Sequence, residues 1–118
     1  MKERAKRLQD LPLERVQAHG GEGEIDFHRV FDAAVFESPC NFVDYAEIPP
    51  GASIGLHRHG DDEEIYLVLD GEGVMTLDGE SLNVATGSVI VNRRNGSHGL
   101  RNVGVRPLRL FVVEVALG

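Results

Sequence analysis

His57 and His59 stand two residues apart in the run Ser53-Ile54-Gly55-Leu56-His57-Arg58-His59, and on a β-strand residues i and i+2 share one face. Their imidazoles can therefore converge on a point. Four residues then separate His59 from Glu64, which heads the next apolar run and lies close to both histidines if the two strands form a hairpin. The stretch Asp61-Asp62-Glu63-Glu64 has the look of a solvated loop, but the apolar strand begins at Ile65, and register selects Glu64 over Glu63. His98 opens a later strand after the turn Asn95-Gly96 and offers a third imidazole, with a turn-capping histidine as the alternative. Three neutral imidazoles and one carboxylate would hold one divalent transition-metal ion, and an octahedral ion held in this way keeps positions open for a ligand or substrate. Each imidazole must be neutral to bind, with its second ring N–H given to an acceptor behind it.

Residues that share a face with these four would line the space around the ion. Tyr66 and Val68 alternate with Glu64, and Ser53 and Gly55 with His57, so all are expected to face the interior provided no bulge intervenes. Ser53, Tyr66 and Val68, with Leu100 on the His98 strand, are the substrate-pocket candidates; plain core packing explains them at least as well. Arg93-Arg94 either meets an anionic ligand at the barrel mouth or is a solvated pair in a turn. His19 and His28 fall outside the constellation and read as surface or arm positions. Cys40 has no partner histidine at a recognisable spacing and reads as a small buried residue rather than a nucleophile.

The scaffold for such a site is legible from residue 41 onward, where short runs rich in Val, Ile, Leu, Phe and Tyr are separated by turn residues. The runs cover 41–48, 52–59, 64–69, 73–77, 81–84, 88–91, 98–103 and 108–115. Asp78-Gly79 between two of them is a strong hairpin signal, because a type I′ turn needs positive φ at both central residues. Eight or nine strands with no convincing helix predict an all-β sandwich or barrel of jelly-roll type. Ahead of them, residues 2–16 suit one or two helical turns, ended by Pro12, which disfavours helix at Leu11. His19-Gly20-Gly21-Glu22-Gly23-Glu24 reads as a flexible turn, and residues 25–31 alternate as a half-buried strand does. Residues 1–31 thus form an arm with an edge strand, and 32–118 the barrel. An apolar strand at an open edge invites association, so the arm is expected to contact a second copy in a homodimer.

The chain of 118 residues is one domain's worth and can bury a core without disulfides, and its 14 glycines suit many tight turns. A formal net charge of −7 argues against a nucleic-acid partner. No stretch approaches the roughly 20 apolar residues that span a bilayer. The charged start is no secretory signal, and the single cysteine gives no sign of an oxidising compartment, which leaves a cytoplasmic location as the default expectation.

The pattern Gly51-x5-His57-x-His59-x4-Glu64-x6-Gly71 resembles the first motif of the cupin superfamily in full. The second motif is matched in part: Gly87 begins it and His98-x3-Asn102 ends it. Between them Ser88 replaces a common aspartate, Arg93 stands where a proline is usual, and Gly96 falls one place late. The resemblance covers about residues 42–115, and residues 11–31 are similar to the arm of small bacterial single-domain cupins of the oxalate-decarboxylase-like group. It implies a double-stranded β-helix barrel, one divalent ion such as Mn, Fe, Zn, Ni or Cu, a small-molecule ligand, and often a homodimer. Such a barrel hosts many activities, so two classes of function follow. One is a metalloenzyme, of dioxygenase, decarboxylase or isomerase type, acting on a small oxygenated organic molecule. The other is a non-catalytic, metal-dependent binding or sensing module. Open metal positions in a dry pocket favour the enzyme, although no acid–base residue stands out beyond the ligands.

Overall fold

A computed structural model describes residues 4–118; the first residues of the expected helical stretch lie outside the described residues. The described residues form ten strands: β1 (Glu14–Val16), β2 (Ile25–Asp32), β3 (Cys40–Ile48), β4 (Ser53–Arg58), β5 (Asp62–Asp70), β6 (Glu72–Leu77), β7 (Glu80–Ala85), β8 (Val89–Asn92), β9 (Ser97–Asn102) and β10 (Leu108–Ala116). They pair antiparallel into a six-stranded sheet, β1-β2-β3-β10-β5-β8, and a four-stranded one, β4-β9-β6-β7. The expected all-β jelly roll is the observed architecture. Asp78 and Gly79 both take positive φ, 50° and 84°, and join β6 to β7 with Leu77 opposite Glu80, the geometry a two-residue turn of this type demands.

The segment ahead of Pro12 makes a single 3-10 turn, Leu8–Asp10, and Leu11 is already extended. Where the sequence reading carried only an arm, the chain adds β1, with Val16 opposite Ile25 on β2. β2 in turn pairs with β3 along most of its length, so the arm's strands are part of the larger sheet. No helix among the described residues is long and apolar enough to cross a membrane.

The main core lies between the sheets and includes Ile48, Val68, Met75, Leu100, Leu108 and Leu110, each at most 1% exposed. Val68 and Leu100 are therefore core residues, and packing is what they do. Val43 and Tyr45 alternate with Asp44 and Ala46 along β3 and so point to the other face of the sheet. There they join Val30 and Cys40 in a second cluster, covered by Leu8, Leu11 and Leu13 of the arm. Burial pushes the Cys40 thiol up, as suits a packing residue.

Asn102 closes β9 and shows why an amide ends the second motif. Its Nδ2 donates to the carbonyls of Ile48 at 2.7 Å and Arg106 at 2.8 Å, and its Oδ1 accepts from the Gly104 N–H at 2.8 Å. Asn102→Ala would leave these backbone groups unpaired in a place where Asn102 itself is 1% exposed. The expected loss is about 2–4 kcal/mol of stability. A lower urea midpoint at unchanged slope would show it, and an unchanged midpoint would contradict the role.

Candidate metal centre

β4 and β9 pair with His57 directly opposite His98, so the bond pattern of the smaller sheet brings two of the histidines together. His59 follows just past the end of β4, where its N–H donates to the Gly96 carbonyl at 2.9 Å. Asn95 takes φ 59° in that loop, which is how the chain turns toward His98. Glu64 comes from β5 of the larger sheet, so the cluster bridges both sheets. One potential ligand atom from each of His57, His59, Glu64 and His98 lies within 4.8 Å of the others. Glu64 Oε1 is 3.1 Å from His59 Nε2 and 3.4 Å from His98 Nε2.

The chemistry of this donor set fits a divalent cation. His57 Nδ1 donates to the Gly55 carbonyl at 2.8 Å, and His59 Nδ1 to Asp62 Oδ1 at 2.5 Å with Glu114 Oε1 3.6 Å away. These bonds place the proton on Nδ1 and leave Nε2 as the electron-pair donor. His98, 1% exposed, has no hydrogen-bond partner at either ring nitrogen. A buried imidazole is not left in that state without cost, and a cation between Nε2 and Glu64 would take its lone pair. Burial pushes His57 down to about 4. For Glu64, burial acts upward, but the close approach of the His98, His59 and His57 rings, His98 Nε2 at 3.4 Å among them, outweighs it and holds the carboxyl below its ordinary range. At neutral pH both groups are in the form that binds a cation.

The expected parity along β4 fails. Ile54 pairs with Leu100 and His57 with His98, so three steps on β4 oppose two on β9, and a bulge lies between. The bulge turns Ile54 inward with His57 and Ser53 outward. Ser53 Oγ accepts from the Glu22 N–H at 2.8 Å, outside the cavity described below, which removes Ser53 from the pocket candidates. Glu64, Tyr66 and Val68 do share the inner face of β5, as alternation requires. Tyr66 meets His98 edge-on, with ring centroids 5.3 Å apart. Arg94 lies 3.9 Å from Asp61 at the surface, and neither Arg93 nor Arg94 lines the cavity, so the solvated reading of that pair applies.

A cavity of about 400 Å³ opens beside the cluster; His57, Glu64 and Tyr66 form one end of its wall. His19, read from the sequence as a surface or arm position, is in this wall too. Its ring lies flat on that of His57, with centroids 3.5 Å apart and planes 7° from parallel. The turn that carries it is fastened rather than free. The Gly55 N–H donates to the Ala18 carbonyl at 3.0 Å and the Ser53 N–H to the Glu22 carbonyl at 2.9 Å. The approach is so close that a Cβ on Gly21 or Gly55 would come within 2.1 Å of a carbonyl oxygen of the other segment. Burial lowers the His19 pKa from its ordinary value. Two glycines in separate segments were the available sequence signal, and alone each reads as flexibility.

Residues 44–114 match the family model described as "Cupin domain". The chain belongs to the cupin family. Over 112 residues this cupin is 30% identical to the oxalate-binding protein of Thermotoga maritima, and the match covers 94% of the chain and 93% of the relative. A Thermotoga maritima crystal structure described as a predicted oxalate decarboxylase superposes with a TM-score of 0.92 at 29% identity, covering 96% of this cupin and 99% of that chain. The cupin domain of Schizosaccharomyces pombe Cnp3 shares the fold, with a TM-score of 0.79 at 18% identity over 95% of this chain and 73% of that one.

Proposed function

We propose that this cupin holds one divalent transition-metal ion on His57, His59, Glu64 and His98 and acts there on a small oxygenated organic acid. The asymmetry of the cluster carries the reading. His57 and Glu64 form part of the cavity wall, whereas His59 and His98 do not line it and close the cluster from behind. Positions left open on the ion would therefore face the cavity. The ion, when bound, would supply Lewis-acid polarisation of ligand oxygens or a centre for oxygen chemistry. The chain's own part is to hold three neutral imidazoles against a single carboxylate, which leaves the loaded site net positive and attractive to an acid's oxygens. Tyr66, its phenol kept protonated by burial, adds a hydrogen-bond donor on the same wall. The names of the Thermotoga relatives support a carboxylate as ligand.

A second reading, metal-dependent binding without turnover, has its own support. The Thermotoga maritima relative that matches 94% of this chain is named for binding. The test loads the protein with Mn, Fe, Ni, Cu and Zn in turn and supplies oxalate and 2-oxo acids, with carbon dioxide release and oxygen uptake monitored. Turnover with at least one metal, abolished by a chelator, is the expected result. Tight metal-dependent binding without turnover of any acid would replace the enzyme by the binding module, and failure to take up any ion would remove both.

A further inference from the structure

We propose that the cavity selects a 2-oxo acid carrying an aromatic or bulky aliphatic side chain, with its oxygen-rich head at the metal and its apolar body against the strands of the arm; this rests on the metal reading above. Register places the two polar ends of the wall. Tyr66 on β5 pairs with Val112 on β10, Val112 with Asp44 on β3, and Asp44 with Arg29 on β2. The head end is thus two strand spacings from Asp44 and three from Arg29, about 10 Å and about 14 Å between backbones. Around this pair the wall is largely apolar: Val112 on the intervening β10, Phe42 and Ala46 on either side of Asp44, and Ile25 and Phe27 on the strand of Arg29, closed by Ala18 of the arm, with Glu14 and Gln17 the polar groups beyond.

Oxalate is a poor match to this space. A water molecule's share of liquid is about 30 Å³, so 400 Å³ has room for about a dozen groups of that size. A diacid of two carbons would occupy the metal end and leave the apolar wall wet. An aryl or branched alkyl body removes that wall from water and gains its transfer free energy. The far end does not ask for a second carboxylate either. Arg29 is held by both oxygens of Asp44, at 3.0 and 3.3 Å, and its guanidinium lies 4.1 Å from the centre of the Phe42 ring, so its charge is already matched. The arm is in this view a specificity element: the close seating of Gly21 on Gly55 brings Ala18 and His19 to the cavity.

The experiment is calorimetric titration of the full chain, metal-loaded and metal-free, with oxalate, pyruvate and phenylpyruvate. Phenylpyruvate is expected to bind the loaded protein at least about tenfold more tightly than pyruvate, from burial of its ring. Ala18→Leu adds bulk to the cavity while keeping the backbone carbonyl that receives the Gly55 N–H. It should weaken phenylpyruvate about tenfold and leave pyruvate within about twofold, with the unfolding midpoint confirming an intact fold. Phe27→Ala should act in the same direction by removing part of the wall. Oxalate or pyruvate binding as tightly as phenylpyruvate, or both variants leaving phenylpyruvate unaffected, would overturn the inference while the metal reading stood. Equal binding of phenylpyruvate with and without metal would overturn the placement of the acid's head at the ion, and with it the inference. No binding of any acid to the loaded protein would overturn the inference.

Discussion

His59→Ala is expected to bring metal content from about one ion per chain to background after dialysis, an affinity loss of more than about a hundredfold. Loss of an outer acceptor alone costs about 10–100-fold, and this change removes a donor together with its anchor on Asp62. The barrel should survive, because His59 lies past the end of β4 and the core residues Ile48, Met75, Leu100 and Leu110 owe it nothing. Elemental analysis paired with circular dichroism reads both parts. A folded variant that still takes up one ion per chain would remove His59 from the site.

Gly55→Ala has the second large expected effect, and it acts on the arm. The new Cβ would sit 2.1 Å from the His19 carbonyl oxygen and 2.7 Å from the Gly21 nitrogen, both backbone atoms that cannot step aside. The turn must leave β4, losing the Ala18 and Glu22 carbonyl bonds and parting His19 from His57. Overpacking and the lost bonds together predict about 2–4 kcal/mol of destabilisation, seen in urea unfolding. Limited proteolysis should open new cleavage between residues 17 and 24. Metal uptake should persist, since His57 stays paired with His98 across β4 and β9. An arm as protected as in the parent protein would refute the proposed seating.

What could be read along the chain was whatever depends on neighbours in sequence. Alternation with period two marked the strands, positive φ needs at Asp78-Gly79 marked a hairpin, and the spacing of His57 and His59 marked a shared face. The hairpin expected to bring Glu64 to the two histidines does not form, because β4 and β5 lie in different sheets; Glu64 reaches them across the barrel, and His98 arrives through the pairing of β4 with β9. Three other features were settled only by pairing with distant partners. The bulge between Ile54 and His57 exists as a mismatch with β9, and it reversed the direction of Ser53. Asn95 supplies the left-handed turn before His98 because the loop is pulled against the His59–Gly60 end of the neighbouring segment. His19 reaches the cavity because glycines 21 and 55, far apart in the chain, let two backbones touch. Periodicity states which residues share a face, but the approach of one backbone to another is set by side chains that are absent at that contact, and only the assembled barrel reveals where such a gap has been filled.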